Sequence, residues 1–264
     1  MRAKIALVTP EQQRQLDELG YTVLPGYMPP AFLAEVRARV LRLFEEEGAA
    51  AGSEFRQEPG SLRLANLVDK GDVFQRVAGD TAVLELVSHV LGGSYKLSSL
   101  NARSANPRNG SSQPLHADMG AIADERGYWV CNTVWMIDDF REDNGAIRVV
   151  PGSHLWKKLP QEVLSEPAAR HPGEVLVTAP AGTVVVMNAH AWHGGTENRT
   201  DAPRCALHSF YVRRDQPQQQ YQKKLLRAET QAALSAPMRE LLAIDDPLND
   251  RVTAGNESRS GFLK

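Results

Sequence analysis

Two histidines and an aspartate stand out in the sequence because their side chains could share one metal ion. His116 and Asp118 are separated by a single residue, so on an extended segment both side chains point to the same face. His193 comes much later, after the apolar run Thr183–Met187 and directly before two glycines. A strand ending there would deliver the imidazole to the edge of a sheet, and the glycines would let other groups approach it.

Two histidines and one carboxylate are the facial triad of non-haem iron(II) oxygenases, which leaves coordination positions open. The same donors also fit a zinc hydrolase with a metal-bound water. Each residue has a simpler explanation as well, since His-x-Asp triplets form surface hydrogen-bonded pairs and histidines pack at strand ends. The three residues therefore predict a metal site and leave its chemistry open.

Arg204 adds a second signal, 11 residues after His193, at the start of the apolar run Arg204–Val212. A buried guanidinium without an anionic partner is costly, and its planar fork suits a carboxylate. A dicarboxylate that chelates the metal through an oxo-acid end would place its far carboxylate within reach of such an arginine. The alternative is an ordinary ion pair with an aspartate or glutamate of the protein.

The stretches around these residues resemble the phytanoyl-CoA dioxygenase (PhyH-like) family. They are Gly20–Gly26, Asp143–His154, and Trp192–Asn198 followed by Arg204. The resemblance covers about residues 9–214. It implies a jelly roll, iron(II), the co-substrate 2-oxoglutarate and O2, and hydroxylation of a C–H bond with release of succinate and CO2.

The resemblance also implies that His116, Asp118 and His193 bind the metal and that Arg204 binds the distal carboxylate of the co-substrate. Asp118 favours oxygenation, because halogenating relatives carry a small residue at that position. His190 competes with His193 as the second histidine, but the Trp-His-Gly frame and the step to Arg204 select His193. Some relatives place a serine where this chain has Gly195, so Thr196 or another residue would have to supply that hydroxyl.

Further polar residues lie in predicted strands. Asn132 interrupts the apolar run Tyr128–Ile137, so we expect its amide to bind the oxo-acid end of the co-substrate or a backbone group. Asn101 and Arg103 precede the metal segment and would bind co-substrate or substrate, or would lie at a solvated strand end. His208 shares strand parity with Arg204, which predicts the same cavity for both, although a satisfied core histidine is the common alternative.

The elements that position these residues form three blocks. The first contains helices opening at Thr9 and Pro30, a strand at Tyr21–Leu24, a loop at Ala49–Gly60 and a helix at Asp80–Leu91. Short strands follow, separated by turn-rich loops: Tyr95–Leu100, Tyr128–Ile137, Ala146–Val150, Val175–Val177, Thr183–Met187 and Cys205–Val212. Helices at Gln218–Leu234 and Met238–Ile244 come last, and the tail Asp245–Lys264 is weakly patterned and expected to be partly disordered.

This order predicts a mainly β fold with flanking helices, a double-stranded β-helix (cupin-like jelly roll). We expect residues 1–264 to form one oxygenase domain, with a helical part at 9–92, a jelly-roll core at about 93–214 and C-terminal helices at 215–264. The segment Gly120–Gly127 has the composition of a movable lid, or of a plain surface loop.

Composition excludes several classes of function. The net charge is −2, and the mixed charges among the 264 residues argue against nucleic acid as a partner. The sequence contains no run of about 18 apolar residues, so no membrane span is predicted. The segment Met1–Val8 is too short and too interrupted to be a signal peptide. Cys131 and Cys205 lie in strand-like runs, as expected for reduced thiols of a cytoplasmic protein. A small-molecule substrate is expected, while its identity and the oligomeric state stay open. The alternatives are a cupin-type isomerase or dioxygenase without 2-oxoglutarate and a non-catalytic binding module.

Overall fold

Residues 8–54 and 60–254 are described by the structure, a computed structural model. Helix α1 (Pro10–Leu19) begins as the sequence predicts: the Thr9 side chain accepts a hydrogen bond from the backbone of Gln12, and the Gln12 side chain accepts one from the backbone of Thr9. Gly20, at φ 83°, ends α1 in the left-handed region that glycine tolerates. Strand β1 (Tyr21–Leu24) follows directly.

The rest of the N-terminal block contains more elements than the sequence predicts. Helix α2 (Pro30–Glu47) and helix α4 (Thr81–Leu91) lie where they were expected. Between them lie strand β2 (Ser61–Leu64) and helix α3 (Asp72–Ala78), which the pattern did not indicate. Both are too short to show a clear period in sequence. Part of the predicted loop at residues 49–60 lies outside the described residues.

Seven further strands follow: β3 (Tyr95–Ala105), β4 (Val130–Met136), β5 (Ile147–Val149), β6 (Val175–Val177), β7 (Val184–Asn188), β8 (His193–Gly195) and β9 (Arg204–Arg213). Six of them overlap the predicted strands, although β3 extends well beyond its predicted end at Leu100, and the short strand β8 was not predicted. In the described residues the strands form a six-stranded sheet, ordered β1-β7-β4-β9-β3-β2, and a three-stranded sheet, ordered β6-β5-β8. All pairings are antiparallel. A short helix, α5 (Pro160–Val163), lies between β5 and β6 along the chain. The two sheets with their flanking helices form the expected jelly roll.

The six-stranded sheet has a core on each face. Its outer face packs on the helices, where Trp135 and Tyr211 of the sheet and Phe74 of α3 are fully buried. Its inner face turns towards the small sheet, where Val134 and Val149 belong to a second apolar cluster. Because side chains alternate along each strand, one set packs against the helices and the other set points into the space between the two sheets.

The C-terminal block corrects two predictions. A single helix at Gln218–Leu234 is wrong: α6 (Gln222–Leu225) and α7 (Ala228–Ala233) are separate, and residues 218–220 are not helical. The side chain of Gln218 donates to the carbonyls of Leu97 and Leu242, which holds the segment against β3 in place of a helix. Partial disorder from Asp245 onward is also wrong for α9 (Pro247–Ala254), which follows α8 (Ala236–Leu241). The remaining tail lies outside the described residues.

Cys131 and Cys205 are buried free thiols, as expected, and burial raises the pKa of Cys205 to about 12. Within residues 8–54 and 60–254, no helix combines the length and apolar character needed to cross a bilayer.

Candidate metal centre

His116 and His193 are held side by side by their own backbones. The N–H of each residue donates to the carbonyl of the other, at 3.0 Å in both cases. His193 is the first residue of β8, so this pairing adds the segment around His116 to the edge of the small sheet. The two imidazole rings consequently lie with their centroids 4.5 Å apart.

The hydrogen bonds of both rings fix which nitrogen is available for a metal. Nδ1 of His116 lies 2.9 Å from the carbonyl of Pro114, and Nδ1 of His193 lies 2.9 Å from the carbonyl of Ala191. A carbonyl only accepts, so Nδ1 carries a proton in both rings, and Nε2 is the nitrogen that faces Asp118 and is left for a metal. Metal-binding histidines are usually oriented in this way.

Asp118 completes the cluster. Its carboxylate oxygens lie 3.6 Å from Nε2 of His116 and 3.4 Å from Nε2 of His193. One donor atom from each of the three residues lies within 4.8 Å of the others. Two imidazole nitrogens and one carboxylate so placed fit a divalent metal ion with further positions open to other ligands.

Electrostatics keep Asp118 ionised. Burial by itself would raise the pKa of this carboxyl, but the charge of His193 and hydrogen bonds from both histidines outweigh burial and hold the pKa well below its usual range. Burial would likewise lower the pKa of His116, and contact with Asp118 raises it instead. The negative charge of Asp118 is thus balanced by positive charge on the two histidines. A bound metal ion would supply this positive charge in place of the imidazole protons.

Asn132 makes a contact with the metal cluster that the sequence did not indicate. Its Nδ2 donates to a carboxylate oxygen of Asp118. The side chain projects from β4 on the inner face of the large sheet, opposite Met187 on β7 and Phe210 on β9. Asn132 is therefore placed to orient the carboxylate of Asp118, and its Oδ1 makes no hydrogen bond with the described residues.

A cavity of about 410 Å³ opens beside the three donor atoms. Its floor is the inner face of the large sheet, and its roof is β8 with the neighbouring segment 113–119. The lining residues that carry polar side chains are Arg63, Ser99, Asn101, Arg103, Gln113, His116, Asp118, Asn132, His193, Arg204, His208 and Gln219. Val134, Ile147, Met187 and Phe210 supply much of the apolar wall.

Arg204 lies in this cavity without a carboxylate partner. The residue is 4% exposed, and its guanidinium lies 4.0 Å above the ring of Phe140. Its Nη2 donates to the carbonyl of Gly145 and its Nε to that of Asn144, at 3.5 Å for the latter. Among the described residues no carboxylate lies within 4.0 Å, so the ordinary ion pair considered above is not seen there. Burial, and then the charge of Arg103, lower the pKa of Arg204 to about 10, which leaves it cationic at neutral pH.

Asn101 and His208 lie opposite each other on β3 and β9 and both line the cavity, as strand parity predicted for His208. Oδ1 of Asn101 accepts a hydrogen bond of 2.9 Å from Gln220, so the side chain offers its N–H groups to the cavity. Burial, then the charges of Arg103 and Arg204, hold the pKa of His208 well below its usual value, so this imidazole is neutral.

Two alternatives from the sequence are engaged in other hydrogen bonds. His190 bonds to Asn188 at 2.8 Å and does not line the cavity, and burial lowers its pKa to about 4. The Oγ1 of Thr196 donates to the carbonyl of Ala146 at 2.8 Å. The hydroxyl proton of Thr196 is therefore engaged, and the residue lines a small cavity of about 20 Å³ beside Arg204.

Some lining residues escaped the sequence analysis. Ser99 shares the alternation of Asn101 and could have been found from it. Gln113 lies in a loop with no periodic signal, and Arg63 lies on the unpredicted strand β2. Gln219 was assigned to a helix, whereas its Oε1 accepts a hydrogen bond of 2.7 Å from Ser99 at the cavity wall.

Known proteins resemble this chain in sequence and in fold. The model of the phytanoyl-CoA dioxygenase (PhyH) family matches residues 16–206, which is more than half of the chain. The chain belongs to this family. Among curated relatives, dioxygenase af480 of Aspergillus fumigatus is 28% identical over 248 residues, covering 89% of this chain and 76% of the relative. The ectoine dioxygenase of Stutzerimonas stutzeri is 26% identical over 235 residues, covering 78% of this chain and 77% of that relative.

Solved structures share the architecture of this family member. EctD from S. alaskensis with bound Fe superposes with a TM-score of 0.66 at 21% identity, covering 81% of this chain and 80% of that one. HygX from Streptomyces hygroscopicus with nickel and 2-oxoglutarate bound superposes with a TM-score of 0.64 at 20% identity, covering 78% of this chain and 87% of that one. At these identities the likeness establishes the common fold.

Proposed function

We propose that His116, Asp118 and His193 hold iron(II) and that Arg204 binds the distal carboxylate of 2-oxoglutarate. The observation that carries this proposal is the orientation of the three donors: both histidines present Nε2 to one point, and the carboxylate of Asp118 lies beside it. A buried arginine without a carboxylate partner among the described residues lines the same cavity. A divalent cation would satisfy the three donor atoms, and a dianion would give the arginine its missing carboxylate partner.

The chain is an iron(II)- and 2-oxoglutarate-dependent dioxygenase. When bound, iron and the oxo acid supply the oxidation: O2 converts 2-oxoglutarate to succinate and CO2 and places a hydroxyl on a C–H bond of a second molecule. The residues of the chain position these reactants. The carboxylate of Asp118 would occupy a coordination position that a halide would need, which favours hydroxylation over halogenation.

The supporting residues have separate roles in this proposal. Asn132 keeps the carboxylate of Asp118 in its binding orientation through the hydrogen bond from Nδ2. Asn101 donates its remaining N–H groups to the co-substrate, since its Oδ1 is already occupied by Gln220. The neutral imidazole of His208 adds a hydrogen-bonding group without adding a charge beside the arginines.

The substrate is proposed to be a small organic molecule. A cavity of about 410 Å³ suits a small co-substrate and a small substrate together. Ser99 and Gln219 provide a polar wall, and Val134 and Phe210 provide an apolar one. In the same proposal residues 1–264 form one domain of a cytoplasmic enzyme, which agrees with the buried free thiols.

An anaerobic titration of the purified protein with iron(II) and 2-oxoglutarate tests the proposal. We expect a saturable visible charge-transfer band from the chelate, lost in His193→Ala and weakened in Arg204→Ala. His190→Ala is the matched control, because it removes a nearby buried histidine that does not line the cavity, and it should retain the band. Absence of a band in folded wild-type protein would contradict the proposal and direct attention to a hydrolase or a binding module.

A further inference from the structure

Arg103 is a second guanidinium in the cavity, and its position on the sheet brings it next to Arg204. Strands β3 and β9 pair so that Arg103 lies opposite Ala206, two residues from Arg204 on the same face. Such diagonal neighbours on adjacent strands are separated by about 7–8 Å, within reach of long side chains. Both arginines line the main cavity and also a smaller adjoining cavity of about 20 Å³.

The electrostatics agree with this proximity. The charge of Arg103 is the largest contribution after burial to the lowered pKa of Arg204. Arg204 is buried and Arg103 is partly buried, so their like charges repel each other, and an anion between them would be attracted to both. In Arg204, Nε and Nη2 donate to backbone carbonyls, while Nη1 donates to no atom of the described residues. This nitrogen is therefore available to a ligand in the cavity.

Gln113 connects Arg103 to the strand that carries the metal ligand His193. Its Oε1 accepts a hydrogen bond of 2.9 Å from the backbone of Gly195 and one of 3.3 Å from Nη1 of Arg103. A Cβ atom at Gly195 would lie 3.2 Å from Oε1 of Gln113 and 3.6 Å from Nη1 of Arg103. Because Gly195 has no side chain, the guanidinium of Arg103 and the amide of Gln113 have room to meet beside it.

We propose that Arg103 is a second binding group for the distal carboxylate of the oxo-acid co-substrate, which it shares with Arg204. This inference rests on the proposed function and assigns a role that the hydroxyl absent at Gly195 would otherwise have. Arg63 does not fit the role as well: it lies opposite Arg103 on β2, one strand further from Arg204.

A comparison of two oxo acids, made in Arg103 variants and in a control variant that loses the same charge, separates this role from general effects of charge. 2-Oxoglutarate and 2-oxopentanoate have the same carbon chain and the same chelating end, but 2-oxopentanoate lacks the distal carboxylate. Their dissociation constants would be measured in anaerobic titrations of the iron(II) protein, from the visible band of each chelate. Folding of every variant would be checked by circular dichroism.

For Arg103→Met we expect 2-oxoglutarate to bind at least about tenfold more weakly, because a charge-assisted hydrogen bond is lost, while binding of 2-oxopentanoate changes less than about twofold. Arg204→Met should show the same pattern with a larger loss. Arg63→Met is the matched control: it removes the same charge from the same cavity, and its loss of 2-oxoglutarate binding should be clearly smaller and less selective than that of Arg103→Met. Arg103→Lys should retain part of the affinity for 2-oxoglutarate, and it decides the question if Arg103→Met does not fold.

Equal weakening of both acids in Arg103→Met, or no weakening of either, would overturn the inference. So would a loss in Arg63→Met that is as selective for 2-oxoglutarate as the loss in Arg103→Met, because the effect would then be one of net charge. These outcomes leave the proposed function standing. Failure of both acids to give a band in wild-type protein would overturn the proposed function itself.

Discussion

Asn132 offers a direct test of how the protein orients its metal ligands. It lies on β4 in the middle of the large sheet, is 8% exposed, and donates through Nδ2 to the carboxylate of Asp118. We expect Asn132→Ala to weaken binding of iron(II) while the fold is retained. The reason is that the carboxylate would no longer be held in one orientation, and the metal would have to fix it on binding.

The size of the effect follows from the kind of bond. A hydrogen bond to a charged group contributes about 1.5–3 kcal/mol, and loss of a group that orients a metal ligand typically weakens metal binding by about 10- to 100-fold. Asp118 keeps its attraction to both histidines in the variant, so the lower half of that range is expected for the dissociation constant of iron(II).

The assay is an anaerobic titration of apoprotein with iron(II), or with cobalt(II) followed by its visible absorption, in the absence of co-substrate. Asn101→Ala is the matched control, because it removes another buried amide from the cavity floor that bonds to Gln220 and not to Asp118. Metal binding should be unchanged in the control. Unchanged metal binding in folded Asn132→Ala would refute the orienting role, and so would equal weakening in both variants.

Two further predictions concern pH and the loop beside the site. The pKa of buried His190 is lowered to about 4, so from about pH 6.5 down to pH 4 the unfolded chain takes up a proton that the folded chain resists. The contribution of neutral His190 to the free energy of unfolding is therefore complete above pH 6.5. Between pH 7 and pH 4, urea melts should show a decrease in the free energy of unfolding that is about 3 kcal/mol smaller in His190→Gln than in wild type. Equal decreases in the two proteins would contradict this. Arg213 pairs with Asp124 at 3.0 Å and with Asp215 at 2.7 Å, which ties residues 120–127 to the end of β9. Arg213→Met should speed hydrogen exchange in that loop while global stability falls by only about 1 kcal/mol, since the carboxylates are partly exposed; unchanged exchange would show that the ion pairs do not hold the loop.

The cluster of His116, Asp118 and His193 could be predicted because its signals are local. A His-x-Asp triplet on an extended segment and a histidine at the end of an apolar strand both follow from the alternation of side chains. The strand parity of Arg204 and His208 places both in the cavity for the same reason. Periodicity within one strand is thus enough to select the face on which these residues lie.

Contacts between strands could not be predicted in the same way. The bond from Asn132 to Asp118 depends on the stacking of β4 beneath the metal segment, which no local pattern encodes. Gln219 reaches the cavity because the side chain of Gln218 and the backbone of Gln219 bond to β3, at Leu97 and Ser98, and these bonds override the helical propensity of the glutamines. Such tertiary hydrogen bonds decide the local structure only after the sheet exists.

The geometry of the site therefore depends on how the two sheets are joined. His193 and the His116 segment belong to the small sheet, whereas Arg103, Asn132 and Arg204 project from the large one. The N–H of Asp118 donates to the carbonyl of Ala189, just beyond the end of β7, so the segment of the small sheet is also fastened to the large sheet. Since β9 lies inside the large sheet between β4 and β3, Arg204 is held on a fixed support. The distance between metal and arginine is thus set by backbone hydrogen bonds, which suits recognition of a co-substrate by its length as well as by its charge.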